Sequence, residues 1–422
     1  MTDVVIVAGE TSGDQLAADL VERVLAVAPD VRFHGIAGPR MRAAGVQTWI
    51  DSETLAVRGY AEVVAALPRI FRAKRELIER TQALKPALYV GVDAPDFNLR
   101  VERDLKAKGQ RTLHYVSPSF WAWRPQRAAR FKESADHMLC LFPFEPKLLA
   151  AHGVAATFVG HPLAKAPLRH ADRHRLRRKL EHDGSAPNAP LIAVLPGSRI
   201  SEIDLHGELF VQVMSRLSEK YPASRFVVPL ITRETRERFQ AALWRYGEAL
   251  APRVQLLFGH ADFALRAADV ALVASGTATL EAAMLGCPQV VSYRVSKITY
   301  AIVRKKINSR FVSLPNIMAD DWCNPELLQH AATPEALVSA MSGLIEHQHL
   351  RTRMQSAYSK MGDVLQSPST STFDPMVLPC WRNCVDGFLA LRHRRSRTWA
   401  FSRAGVCGGR GAGRGGPQDC RS

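Results

Sequence analysis

Six loops in this 422-residue chain carry residues able to move a proton, hold an anion or contact a sugar, and each directly follows or opens a short structured run. Gly9-Glu10-Thr11-Ser12-Gly13-Asp14 follows the apolar run 4–8 and precedes a helix-like stretch. Two glycines, two hydroxyls and a helix N-terminus would make an oxyanion or phosphate cradle. The plainer alternative is a strand-to-helix turn capped by Ser12 or Asp14. No GxGxxG or GK[ST] spacing is present, so neither a dinucleotide fingerprint nor a Walker loop is expected. Gly91-Val92-Asp93-Ala94-Pro95-Asp96-Phe97-Asn98 sets two carboxylates beside a rigid proline. Asp93 and Asp96 suit a general base and its neighbour, each able to shift the other's pKa. An Asx turn with a helix cap is the alternative there.

Ser117-Pro118-Ser119-Phe120-Trp121-Ala122-Trp123-Arg124 holds three aromatic residues in four positions. They could stack on a sugar, line an acyl groove, or fill space between domains. In the second half, Leu195-Pro196-Gly197-Ser198-Arg199 offers backbone donors and a fork-shaped cation suited to a diphosphate. Ala274-Ser275-Gly276-Thr277-Ala278-Thr279-Leu280-Glu281 passes from an apolar run into a helix. Its small residues allow close backbone approach and its helix N-terminus favours phosphate. Glu281 could take the two hydroxyls of a ribose, or serve as a capping-box partner to Thr277 or Ala278. Leu314-Pro315-Asn316 follows a basic segment at 297–310 and is expected to bring Asn316 to the cleft.

These loops need a scaffold that presents them along one edge. Strand-like runs at 4–8, 31–36, 87–92, 112–116, 137–142 and 157–159 alternate with amphipathic stretches such as 15–28 and 69–84. A second series lies at 191–195, 225–230, 254–258, 270–274 and 289–293, with 207–220 helical between them. Strand–helix alternation with nearly all-apolar strands implies parallel sheets covered on both faces. A break near 160–190, with a loop at Asp183-Gly184-Ser185-Ala186-Pro187-Asn188, divides the chain into two Rossmann-like doubly wound domains, 1–165 and 166–365. Ligands of such sheets bind beyond the carboxyl ends of the strands, where these loops fall.

Composition narrows the setting. The 47% apolar and 23% charged content is that of a globular protein. No run approaches the ~20 apolar residues of a membrane span. Residues 4–8 follow Asp3 rather than a basic segment, so they read as a strand and not a secretory signal. Seven cysteines without disulfide-framework or zinc spacing fit a reducing cytoplasm. Of the net charge of +16, residues 366–422 supply nine Arg against three Asp. The body keeps basic clusters at 69–80 and 169–179, compatible with phosphorylated substrates, anionic membrane or nucleic acid. Residues 69–80 form a basic helix with an apolar face that could touch anionic lipid, or a solvated helix packed on the sheet. The apolar stretch 55–67, with Tyr60, could admit acyl chains or be core.

The ordered motifs VAGETSGD (7–14), GIAGPRM (35–41), GVDAPDFN (91–98), HYVSPSFWAWR (114–124), FPFE (142–145), VGHPL (159–163), LPGSR (195–199), ASGTATLEAAMLGCPQVVSYR (274–294), LPNI (314–317) and PELLQ (325–329) resemble the lipid-A-disaccharide synthases, glycosyltransferase family 19. The resemblance covers residues 4 to about 365. It implies a two-domain glycosyltransferase fold of the B type (GT-B), an α/β architecture with a cleft between the domains. The implied donor is UDP-2,3-diacylglucosamine and the implied acceptor is 2,3-diacylglucosamine 1-phosphate (lipid X). The products would be a β-1,6-linked disaccharide 1-phosphate and UDP, formed with inversion. The resemblance makes Asp93 the base, with Asp96 and Glu10 beside it. Gly197, Ser198, Arg199, Ser275, Gly276, Thr277 and Ala278 would hold the diphosphate, Glu281 the ribose, with Asn316 nearby. Ser12, Tyr60, Arg69, Arg72, Trp121 and Trp123 fall on the acceptor or membrane side. No metal and no cofactor are implied. The expected setting is the cytoplasmic face of a Gram-negative inner membrane, with peripheral binding to its anionic surface, a homodimer, and no nucleic-acid partner.

The pattern fails after about residue 365. Residues 366–422 hold four of the seven cysteines, including Cys380-x-x-x-Cys384, and end in Arg/Gly-rich sequence around 408–416. That composition cannot bury a core and is expected to be disordered. It reads as a shifted reading frame near 366 in place of the family's ending, with a basic lipid- or nucleic-acid-binding tail as the alternative. Two rival functions share parts of the pattern. Another GT-B UDP-sugar transferase or epimerase would share the donor loops but not VAGETSGD or VSPSFWAWR. A non-enzymatic basic binding protein would need none of Asp93, Arg199 or Glu281.

Overall fold

The apolar runs assemble into two all-parallel sheets in the computed structural model of the protein, which describes residues 1–55, 60–123, 125–165, 173–180, 189–296, 300 and 310–366. The first sheet contains β1 (Thr2–Ala8), β2 (Val31–Ala37), β3 (Gln47–Asp51), β4 (Leu88–Val92), β5 (Thr112–Tyr115), β6 (His137–Cys140) and β7 (Ala156–Phe158), in the order 3-2-1-4-5-6-7. The second contains β8 (Leu191–Leu195), β9 (Arg225–Leu230), β10 (Val254–Phe258), β11 (Val270–Ala274), β12 (Gln289–Tyr293) and β13 (Glu326–Leu328), in the order 10-9-8-11-12-13. Each order reverses direction at one place, between β1 and β4 and between β8 and β11. Those are the points where the crevice of a doubly wound sheet opens. Val7 pairs with Gly91 and Val273 with Leu195, so the loops after the paired strands start side by side. β1, β4, β8 and β11 are almost wholly buried, which is why they read as continuous apolar runs.

Two strands escaped the sequence reading. β3 is half-buried at the outer edge of its sheet and carries Gln47, Thr48 and Asp51 among its five residues. β13 is a three-residue edge strand. Helix α1 (Thr11–Val27) starts four residues before the expected 15–28, and α3 runs from Tyr60 to Leu84 rather than from 69. Among the described residues no helix is long and apolar enough to cross a membrane.

The cradle-like loop after β1 owes part of its shape to Asp14. Its buried carboxylate accepts the backbone N–H groups of Gly38 (2.9 Å), Arg40 (2.9 Å) and Met41 (3.1 Å). Those amides open helix α2 (Pro39–Ala43), where a carboxylate opposes the positive end of the helix. A Cβ on Gly38 would lie 2.5 Å from the Asp14 carboxyl carbon, so the two motifs GETSGD and AGPRM are cut to fit each other. Asp14 therefore ties α1 to the loop after β2; it caps no turn of its own, since the N-cap of α1 is Glu10.

The helix Gln348–Leu365 closes the described fold. Met354, Tyr358, Met361 and Leu365 on one face enter the core of the second sheet, and Phe142, Leu163 and Ala164 of the first half pack against the same core. The Leu365 carbonyl accepts the His161 N–H at 2.9 Å, so this helix reaches the crossover between the two sheets. The tail after Gln366, expected to be disordered, lies outside the described residues.

Asp14→Ala leaves three amides without their shared acceptor. It is expected to lower stability by about 3 kcal/mol, read from the urea midpoint at constant slope.

Candidate active site

At the reversal point of the first sheet the backbone makes an unusual turn. Asp93 (φ +52°) and Ala94 (φ +44°) are both left-handed, directly after β4 and before helix α4 (Pro95–Lys106). Left-handed non-glycine residues cost about 1–3 kcal/mol each and persist only when their surroundings hold them. Asn98 does the holding. It is wholly buried, and its Nδ2 donates to the carbonyls of Asp93 (2.9 Å), Val92 (3.2 Å) and Val7 (3.4 Å), while its Oδ1 accepts from the Tyr89 hydroxyl at 3.4 Å. The Asp93 N–H donates to the Tyr115 carbonyl at 2.9 Å.

The turn directs the half-buried Asp93 to the loop after β1, where the Ser12 hydroxyl donates to Asp93 Oδ2 at 3.3 Å. Glu10 lies alongside. Partial desolvation and the neighbouring Asp93 carboxylate push the Glu10 carboxyl above its ordinary range, opposed by the positive charge of Arg199. Arg199 belongs to the second sheet's half, so charges from both halves meet at this place. Asp93 is not the cap of α4, whose N-cap is Ala94 without a side-chain cap bond. Asp96 is exposed in the first turn of α4, where it faces the helix dipole favourably.

In the second sheet the loops after β8 and β11 form the facing wall. The Arg199 side chain is 78% exposed. The amides of its own loop are not open, however: Ser198 N–H (2.7 Å) and Arg199 N–H (3.2 Å) donate to the Glu202 carboxylate, as does the Ser198 hydroxyl at 3.4 Å. The backbone amides expected to face a diphosphate at Ser198 and Arg199 are thus already paired within the chain. After β11 the helix Thr277–Met284 opens without a side-chain cap at Gly276, and Gly276 and Thr277 are exposed. Glu281 is no capping-box partner. Its carboxyl is raised by burial and by Asp262. Ser275 is half-buried, its hydroxyl donating to the Val312 carbonyl at 3.3 Å.

Asn316 corrects an expectation. It does not face a cleft but is wholly buried, with Nδ2 donating to the Asn324 carbonyl (3.0 Å) and Glu326 Oε1 (2.8 Å). Its Oδ1 accepts the N–H groups of Cys323 (3.0 Å) and Asn324 (2.8 Å), so it staples the 323–326 loop to the helix Leu314–Ala319. Trp121 is likewise engaged: its Nε1 donates to Glu145 at 3.3 Å and its ring meets Phe144 edge-on at 5.2 Å. The side chains of Tyr60 and Trp123, and the segment 297–299, lie outside the described residues. Arg69 and Arg72 are exposed on α3 beside Leu67 and Phe71.

The sequence profile described as "Lipid-A-disaccharide synthetase" matches residues 4–373. The chain belongs to the lipid-A-disaccharide synthase family. It is 44% identical over 358 residues to the lipid-A-disaccharide synthase of Chromobacterium violaceum, covering 85% of this chain and 92% of that one. It is 41% identical to that of Dechloromonas aromatica over 379 residues, covering 89% and 98%. Among solved structures it is similar to the UDP-GlcNAc 2-epimerase of Neisseria meningitidis bound to UDP-GlcNAc (TM-score 0.58, 12% identity, 86% of this chain and 99% of that one). It is also similar to S. aureus MnaA in complex with UDP (TM-score 0.59, 12% identity, 92% and 97%). These likenesses establish the doubly wound GT-B type of fold. The profile runs past residue 365, where the motif-based resemblance stops.

Sequence reasoning overlooked Asn98, Glu202, Tyr293 and Glu145 as parts of the site or its frame, although all four stand inside quoted or adjoining motifs. Tyr293 ends β12, and its phenol is raised by burial and by Glu202 and lowered by Arg199, so it borders the same loop. Glu145 is buried under Trp121 and accepts the Phe142 N–H at 3.1 Å. Burial pushes its carboxyl to about 7. The folded state therefore binds this proton more readily than the unfolded chain between about pH 4.5 and 7. Stability falls as pH rises through that window. Glu145→Gln should flatten the fall, seen as a smaller drop in Tm between pH 5 and pH 7 than wild type shows.

Proposed function

We propose that the chain transfers the sugar of UDP-2,3-diacylglucosamine to the 6-hydroxyl of 2,3-diacylglucosamine 1-phosphate (lipid X), with inversion, giving the lipid A disaccharide 1-phosphate and UDP. The observation that carries this is Asp93: a half-buried carboxylate at the first sheet's reversal point, held by Ser12 and beside Glu10, which itself feels the Arg199 charge from the second. The names and coverage of the relatives support the reaction class.

In this reading Asp93 takes the proton of the acceptor hydroxyl as that oxygen attacks the anomeric carbon and UDP leaves. Ser12 donates to the Asp93 oxygen and orients it. Glu10 stands beside Asp93, and burial together with the Asp93 charge raises its carboxyl pKa. The diphosphate charge meets the Arg199 guanidinium and the uncapped start of the helix at Gly276, Thr277 and Ala278, with Ser198 and Ser275 at its margin. Glu281 takes the ribose hydroxyls. Asp96, in the first turn of α4, stays exposed and assists the acceptor side.

Both substrates carry acyl chains, so the enzyme works at a lipid surface. Helix α3 supports a docking face: Leu67 and Phe71 are 39% and 57% exposed next to Arg69 and Arg72, while Ala73 and Leu77 face the protein. On this reading the enzyme binds peripherally to the anionic cytoplasmic face of the inner membrane.

Two experiments test the reading. In detergent micelles with both substrates, wild type should form the disaccharide and Asp93→Ala should lose about 10²–10⁴-fold in kcat. Activity retained in the variant would remove Asp93 as base, and no product from wild type would sink the reaction. With vesicles containing anionic lipid at low salt, the double variant Phe71→Ser, Arg72→Glu should partition about tenfold less than wild type. Equal partitioning would move the docking face elsewhere.

A further inference from the structure

The loop that brings Arg199 to the cleft is folded around a carboxylate from its own chain. Glu202 Oε2 takes both free amides of the turn, at 2.7 and 3.2 Å, and the Ser198 hydroxyl at 3.4 Å. Gly197 makes this possible. Its φ is +129°, and a Cβ there would stand 2.4 Å from Glu202 Cβ and 2.6 Å from Glu202 Oε2. Glu202 is fixed from behind as well. The wholly buried His206 donates from Nδ1 to the Glu202 carbonyl at 2.8 Å and accepts the Arg294 N–H on Nε2 at 3.0 Å. These two partners fix one neutral tautomer. Tyr293 stacks on the same ring at 6.1 Å. The first turn of the helix Ile200–Lys220 is thereby bolted to the end of β12.

We propose that Glu202 is a positioning residue for the donor: it holds the Gly197–Arg199 turn so that the Arg199 guanidinium, and not the turn's amides, meets the diphosphate. An anion approaching those amides would meet a carboxylate already seated on them, and like charges at that range repel. The guanidinium stays 78% exposed with its nearest Glu202 oxygen 3.9 Å away, so it is oriented by the turn without being consumed in a close ion pair. The inference rests on the glycosyltransferase reading above and adds to it which groups of this loop touch the donor.

The variants that separate hydrogen bonding from charge are Glu202→Gln, whose amide oxygen can still accept both N–H groups, and Glu202→Ala, which accepts neither. Where the alanine variant does not fold, Glu202→Asp, too short to span both amides, replaces it. Expected for Ala or Asp is a rise of roughly tenfold or more in donor KM and in UDP Kd by calorimetry, with acceptor KM unchanged. Gln should stay near wild type in both. Amide hydrogen exchange of Ser198 and Arg199 without ligand should be slow in wild type and Gln and fast in Ala. Lost protection with unchanged UDP affinity would overturn the proposal, since the turn would then serve stability alone. Equal damage in Gln and Ala would also overturn it, because charge rather than geometry would be acting. Failure of wild type to bind UDP would instead strike the donor reading, and the exchange data would still report whether Glu202 holds the turn.

Discussion

The strained turn at Asp93–Ala94 is the feature on which the site depends. A parallel sheet delivers every strand's carboxyl end to one edge, but a chain leaving β4 in the ordinary right-handed way would run straight into helix α4. Two successive left-handed residues instead lift the Asp93 side chain toward the loop after β1. That conformation costs energy, and one buried side amide, Asn98, offsets it by tying three carbonyls from β1, β4 and the turn itself. The Asp93 turn and its scaffold are thus one hydrogen-bonded object. A small local choice at residue 98 decides where a carboxylate five residues earlier points.

The same physical device recurs around both sheets. Asp14, Glu202 and Glu326 each place a carboxylate on backbone amides at the start of a following helix or turn: Gly38, Arg40 and Met41; Ser198 and Arg199; Val312 and Ser313. Charge-assisted bonds of this kind are shorter and stronger than neutral ones, and they set loops that would otherwise be free to move. Asp14, Glu202 and Glu326 are therefore structural anions. Glu10 and Asp93 carry no such backbone duty, and Glu10 lies in the field of both Asp93 and Arg199.

The second half contributes through what it leaves open. The helix Thr277–Met284 begins without a side-chain cap, whereas the Arg199 loop is closed internally. One loop of this wall thus offers uncapped amides and the other an exposed cation, two complementary ways to meet an anion. The terminal helix Gln348–Leu365 then links this wall to the first half through Leu365 and His161, so the spacing of the walls is coupled to the packing of the chain's last described helix.

The sequence by itself determined the doubly wound architecture, the reversal-point loops and the family, because buried parallel strands are forced to be apolar throughout and the loops after them carry the polar residues. It could not show β3 or β13, whose edge positions relax that requirement. It also could not separate Asn316 from Asn98. Both are asparagines one to three residues after a proline in a family motif, yet one is stapled to the segment 323–326 and the other holds the Asp93 turn. Which amide a carboxylate occupies was equally beyond it: Asp14 reaches residues 24 to 27 positions away, and Trp121 meets Glu145 across 24. Hydrogen-bond partners distant in sequence are set by how sheets and helices stack. Only the tertiary structure decided which of the polar residues were spent on the fold and which remained for the reaction.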